Sequence, residues 1–208
     1  MKRVRQVITK SPCRVVYKFP SIKLRRTVYC ESTNELYYAY LLDSDHGDVI
    51  SFQEQPGKIK YLINGKTHTY TPDFLVKRVH KTQIVEVKPA SKVSTKENKI
   101  LFEIIEAVCL NAGYEFVVVT DIEICEQPRL NNVRLCREYG RIAIHPRHQI
   151  YCQDFFSLNP TADLGDLFEF FACRKEGKGV VYALLYWGVI GFDIKNPLGP
   201  DSTVYLPS

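Results

Sequence analysis

Asp73, Glu86 and Lys88 are the residues whose types and spacing point to chemistry. They lie in residues 70–90, YTPDFLVKRVHKTQIVEVKPA, which reads as two short apolar strands joined by a basic turn. Side chains alternate across a strand, so Glu86 and Lys88 share one side while Val85 and Val87 share the other. A tight turn near Val79 and His80 would set Asp73 opposite or near Glu86 in an antiparallel pair. Two carboxylates and an ammonium would then meet on an apolar scaffold. Such a cluster is costly unless a metal ion or an anionic substrate neutralises it.

Phosphodiester hydrolysis suits that arrangement. It needs an in-line water, stabilisation of charge on the non-bridging oxygens and help for the leaving oxygen, and carboxylate-held divalent ions can supply all three. Mg²⁺ prefers oxygen ligands and keeps several waters, so two or three carboxylates suffice, and Mn²⁺ would substitute. Asp73 and Glu86 are the candidate ligands, with the backbone carbonyl of Val87 as another. Lys88 would orient or deprotonate the attacking water and balance charge near the phosphate. The plainer alternative is a surface Glu86–Lys88 pair with Asp73 as a turn residue.

The elements that must position these groups are legible in outline. Residues 31–43, ESTNELYYAYLLD, read as a helix opened by a Ser32-x-x-Glu35 capping box. Glu35 shares a helical face with Ala39 and Leu42, a face expected to be buried. Two readings of Glu35 stay open: it closes the helix N-terminus, or it supplies a third acidic group to the site. Glu31, one turn earlier, is the fallback for the second. Residues 49–55 and 58–63 read as strands broken by Pro56 and Gly57. Asn64-Gly65 signals a hairpin returning into residues 66–70. Pro72 suits an edge position or a strand start. Residues 94–97 look like a second capping box, opening a helix that buries Ile100, Leu101, Ile104, Ile105 and Val108 and stops at Gly113. FVVVT at 116–120 reads as a buried parallel strand, completing a β-α-β crossover. The expected fold class is α/β, a mixed sheet flanked by helices over residues 31–125.

The 208-residue chain fits one generous domain or a core plus a satellite, and its 45% apolar and 25% charged composition is that of a globular protein. No apolar run approaches the length of a membrane span and no apolar leader opens the chain, so no membrane role is expected. Seven scattered cysteines without a C-x-x-C pair read as reduced core thiols, and a cytoplasmic location is expected. The net charge of +5 is unevenly spread. Residues 1–30 hold Lys2, Arg3, Arg5, Lys10, Arg14, Lys18, Lys23, Arg25 and Arg26 and no acidic residue. That segment is expected to be a basic arm contacting DNA phosphates.

Residues 126–144 read as a connection, with a short helix over 130–139. His145, His148 and Cys152 have a spacing that could bind zinc, but without a fourth ligand they read as ordinary surface and core residues. Residues 145–208 read as a separate unit of two helices and a hairpin. Its first helix is expected to start at Pro160 with Asn159 as cap, its second to cover 179–187, and 192–194 to pair with 203–206. The whole is winged-helix-like, serving DNA or a protein partner.

Pro72-Asp73 followed by Glu86-Val87-Lys88 resembles the PD-(D/E)xK nuclease superfamily. Within it, the order ESTNELYYAYLLD, VISFQEQP, YTPDFLV, IVEVKPA and FVVVTDIEI is similar to the TnsA endonuclease subunit of heteromeric TnsA–TnsB transposases. The resemblance implies a restriction-endonuclease-like fold, catalytic roles for Glu35, Asp73, Glu86 and Lys88, and a C-terminal domain that engages partner subunits. It implies Mg²⁺-dependent cleavage at the 5′ side of transposon ends. A TnsB-type integrase cuts the 3′ side and a TnsC-type AAA+ ATPase regulates, giving cut-and-paste transposition. A stand-alone restriction or repair nuclease of the same superfamily is the nearest rival. A non-catalytic DNA-binding adaptor is a rival of another class, disfavoured by the intact Glu86 and Lys88.

Overall fold

The computed structural model describes residues 15–207, which divide into two compact units meeting in sequence at Cys125 and Glu126. The first unit begins with an antiparallel hairpin, β1 (Tyr17–Ser21) and β2 (Arg26–Cys30), followed by helix α1 (Thr33–Ser44). Strands β3 (Val49–Glu54), β4 (Ile59–Ile63), β5 (Lys66–Tyr70), β6 (Phe74–Arg78) and β7 (Thr82–Lys88) come next. Helices α2 (Ala90–Val93) and α3 (Lys96–Asn111), strand β8 (Glu115–Thr120) and helix α4 (Asp121–Ile124) complete the unit.

Its centre is a four-stranded mixed sheet in the order β3-β6-β7-β8, with β7 and β8 parallel and the other pairs antiparallel. Strand alternation gives the sheet two apolar faces. Val85 and Val87 join Phe74 and Val76 under Tyr38, Ala39 and Leu42 of α1. Ile84, on the other face, packs with Tyr70 and with Ile105 and Cys109 of α3. Each large apolar side chain so buried contributes about 1.5–3 kcal/mol. The fold is thus mixed α/β, a restriction-endonuclease-like sheet flanked by helices. Strand β8 differs from its expected setting: as the sheet's edge it is only half-buried.

Local signals place the joints. Asn64 and Gly65 both take positive φ (49° and 73°), the conformation a two-residue hairpin turn requires, and they link β4 to β5. Helix α3 is capped one residue later than expected, because Thr95 rather than Ser94 accepts the amide of Asn98. Its chain reversal uses Gly113 at φ 79°.

The expected basic arm is redrawn where it is described. Residues 17–30 are an integral hairpin whose Phe19, Val28 and Cys30 are buried in the core. Two of its cations are structural. Lys23 Nζ donates to the carbonyls of Asp45 and Val49, and Arg26 holds Glu54 through two bonds of 2.9 and 2.7 Å. Lys18 and Arg25 are exposed, while Lys2, Arg3, Arg5, Lys10 and Arg14 lie outside the described residues.

The second unit holds helices α5 (Arg129–Glu138), α6 (Pro146–Phe155), α7 (Leu164–Cys173) and α8 (Lys178–Tyr186). Strands β9 (Thr161–Asp163), β10 (Gly191–Phe192) and β11 (Thr203–Tyr205) form an antiparallel sheet in the order β10-β11-β9. Residues 126–144, read from sequence as a connection, belong to this unit. Buried Asn132 of α5 donates to the carbonyls of Ile194 and Asn196 and accepts from Leu198 N–H, tying down the loop before β11. The helix expected at Pro160 begins at Leu164 instead, because residues 161–163 find a strand partner in β11. His148 is a buried polar residue: Nδ1 accepts the His145 amide and Nε2 faces Glu176 Oε1 at 3.2 Å. No helix among the described residues is long and apolar enough to cross a membrane.

Candidate functional site

The site gathers where β6 begins and β7 ends. The register pairs Phe74 with Val85, which brings Asp73, one residue before β6, beside Glu86 and Val87. Asp73 Oδ2 accepts the backbone amide of Val87 at 2.8 Å. Lys88 Nζ donates to Glu86 Oε1 at 2.7 Å, and the Tyr70 hydroxyl donates to Glu86 Oε2. Glu86 is only 5% exposed, so this carboxylate sits inside the fold rather than on a solvent-facing strand. The plain surface-pair reading of Glu86 and Lys88 does not describe it.

The electrostatics are strained in one direction. Burial, followed by the charges of Glu86 and then Glu35, pushes the Asp73 carboxyl from 3.8 up to about 8, against the opposing pull of the Val87 amide and Lys88. Burial and the Glu86 carboxylate likewise hold the Tyr70 hydroxyl protonated, as its bond requires. Without further positive charge, Asp73 prefers to keep its proton near neutral pH. A divalent cation beside it reverses that preference.

The donor chemistry fits a hard cation. Asp73 and Glu86 offer carboxylate oxygens, and the Val87 carbonyl is a further oxygen nearby in sequence. Among the described residues, no group of three or more His, Cys, Asp or Glu side chains is gathered as a metal site. An ion held here therefore relies on two carboxylates, with water or substrate oxygens completing its shell, as Mg²⁺ accepts.

Glu35 is placed differently from the other three. Its carboxylate closes the N-terminus of α1, with Oε2 accepting Glu31 N–H at 2.8 Å and Oε1 accepting the Ser32 hydroxyl at 2.9 Å. The Ser32 hydroxyl accepts Glu35 N–H in return. The helix-closing reading is thus realised in the structure. Glu35 nonetheless lies close enough to the site to feel it: burial first, and then the charges of Glu31 and Glu86, raise its carboxyl.

Two supporting residues escape a reading of the sequence. Asp121, at the start of α4, accepts Ala90 N–H at 2.7 Å and so fixes the chain just after Lys88 and Pro89. Tyr70 opens the YTPDF stretch, and a buried tyrosine needs an acceptor for its hydroxyl. That requirement was the available signal; its partner, sixteen residues away, was not.

A mixed sheet flanked by helices, with an Asp, a Glu and a Lys meeting at adjacent strand ends, defines a nuclease-like α/β class. Residues 46–121 match the family described as TnsA-like endonuclease N terminal. The matched residues include Tyr70, Asp73, Glu86 and Lys88, whereas Glu35 precedes them. No curated protein matches the chain.

Proposed function

We propose that this protein is an Mg²⁺-dependent DNA endonuclease that cuts the 5′ side at transposon ends. It would act with a TnsB-type integrase and a TnsC-type AAA+ ATPase in cut-and-paste transposition on the bacterial nucleoid. The observation that carries the reading is the convergence of Asp73, Glu86 and Lys88 inside the residues that match the TnsA-like endonuclease family.

Asp73 and Glu86 would hold the cation, with the Val87 carbonyl as a further ligand, and Mn²⁺ would replace Mg²⁺. When bound, the ion supplies charge stabilisation for the phosphate and lowers the pKa of water. Lys88 extends from the same strand face as Glu86 and is 29% exposed, so its ammonium can serve a phosphate oxygen or the attacking water. The Val87 amide holds Asp73 in place for this work. Glu35, oriented by its own helix cap, adds negative charge that strengthens the hold on a cation.

The second unit, with its four helices and three-stranded antiparallel sheet, is assigned the winged-helix-like role of engaging partner subunits or DNA. Exposed Lys18 and Arg25, with the basic residues from Lys2 to Arg14, are assigned to DNA phosphates. Lys23 is held by the carbonyls of Asp45 and Val49, and Arg26 by the Glu54 carboxylate, so neither is assigned that role.

End cleavage reconstituted with the integrase partner and Mg²⁺ tests the assignment. Asp73→Ala is expected to abolish 5′-end cleavage while partner binding persists. Cleavage of arbitrary plasmid DNA by the isolated chain would instead favour a stand-alone nuclease.

A further inference from the structure

We propose that Tyr70 is a positioning residue of this site, anchoring the Glu86 carboxylate so that Lys88 can leave it when a divalent cation arrives. The inference rests on the metal-dependent reading above and adds a residue and a division of labour to it.

The two oxygens of Glu86 are held by donors of opposite character. Oε1 faces the Lys88 ammonium, which sits on a flexible four-carbon stem and is 29% exposed. Oε2 accepts the Tyr70 hydroxyl, which sits on a ring that is 9% exposed. That ring meets Phe116 edge-on, with centroids 6.4 Å apart and planes at 75°, and packs with Ile84, Ile105 and Cys109. Its backbone is paired with Ile59 in the β4–β5 ladder. Lys88 can therefore swing away at the cost of one part-buried bond, whereas Tyr70 can leave only by opening the core.

Charge decides which donor must move. An ammonium and a divalent cation repel when they share a carboxylate oxygen, but a neutral hydroxyl does not oppose the ion. A carboxylate has about four lone-pair sites, so the Tyr70 bond leaves room for a metal contact. Tyr70 stands three residues before Asp73, so one short segment supplies the anchor of Glu86 and the neighbouring carboxylate. Lys88, once released, is free for the phosphate or the water.

A purely structural role makes a different forecast. A buried hydroxyl that merely finds the nearest acceptor would affect melting alone. Tyr70→Phe removes a single oxygen and keeps the ring packing. In the full-length protein it is expected to raise the Mn²⁺ dissociation constant measured by calorimetry about tenfold, as loss of an outer-sphere ligand partner does. The Mg²⁺ half-saturation of end cleavage with the integrase should rise by a similar factor, while DNA affinity stays unchanged. Phe116→Leu, which loosens the ring without touching the hydroxyl bond, controls for stability: it should lower the melting temperature and leave metal affinity intact. Equal metal affinity in wild type and Tyr70→Phe, with only a melting change, would overturn the inference. Absence of Mn²⁺ binding by the wild type would overturn the metal-dependent reading and this inference with it.

Discussion

Asp43 and Asp73 are the same side chain, both withdrawn from water in the same unit, and the fold treats them in opposite ways. Asp43, fully buried on α1, accepts the Ser21 hydroxyl and the amides of Ile22 and Lys23 at 3.1 and 3.2 Å. Glu54 nearby is similarly supplied, by both arms of Arg26 and by the Tyr29 amide. Asp73 receives one backbone amide and faces two other carboxylates, whose charges add to burial in raising its pKa. Saturated acids tie the β1–β2 hairpin to the core. On the proposed reading, Asp73 with its single donor marks the place where charge is to be supplied from outside. The lesson is that burial alone does not distinguish a structural carboxylate from a functional one; the count of donors does.

Substitutions should separate the two regions most sharply. Asp73→Asn and Lys88→Ala are expected to lower end cleavage by about 10²–10³-fold or more, in line with loss of a group that stabilises transition-state charge. Asp73→Asn should stabilise the metal-free protein by removing a raised carboxyl, whereas Lys88→Ala strips the buried Glu86 carboxylate of its ammonium and should cost some stability. Asp43→Ala should do the reverse of Asp73→Asn, costing about 3 kcal/mol in denaturant unfolding because it strands buried donors. Its residual activity should follow the folded fraction. Equal melting effects at positions 43 and 73 would break the comparison.

Metal and pH sharpen it. A cation present at a hundred times its dissociation constant should stabilise the wild type by about 2.7 kcal/mol at pH 8. Asp73→Asn should forfeit most of that gain. The Asp73 carboxyl is raised in the fold from 3.8 to about 8, so its contribution to metal-free stability is fully present below the unfolded value. That contribution is lost as pH rises through about 8. Thermal melting of metal-free protein from pH 4 to 9 should show this decline, and Asp73→Asn should flatten it. A decline unchanged in the variant would assign the effect elsewhere.

The smallest expected effects concern Glu35. Ser32→Ala should cost about 1 kcal/mol through loss of the helix cap and leave the Mg²⁺ dependence of cleavage unaltered. Glu35→Gln keeps an oxygen for the cap but removes the charge sensed by Asp73 and Glu86, so its Mg²⁺ half-saturation should rise a few-fold at little cost in melting. If the two variants behave alike in cleavage, Glu35 serves its helix alone.

Much of the site was legible because its signals are local. Asn64-Gly65 dictates a turn, Ser32-x-x-Glu35 a helix start, and the alternation of Val85, Glu86, Val87 and Lys88 the faces of one strand. What escaped depends on distant partners. The cations of the β1–β2 hairpin suggested an arm because nothing local shows that Lys23 would reach the carbonyls of Asp45 and Val49, or Arg26 the carboxylate of Glu54. Residues 161–163 read as the start of a helix because their strand partner, β11, lies some forty residues on. Strand β8 was apolar enough to suggest burial on both sides, yet sheet order left it at an edge. Tyr70 carries no local sign of its role, because the carboxylate its hydroxyl bonds, Glu86, lies sixteen residues on.

The central claim is that Asp73, Glu86 and Lys88 form one metal-dependent nuclease site. Its most direct test is 5′-end cleavage with integrase and Mg²⁺, comparing wild type with Lys88→Ala at matched folded fraction and partner binding. The account predicts metal-dependent cleavage by the wild type and none by the variant. Undiminished cleavage by Lys88→Ala would contradict it.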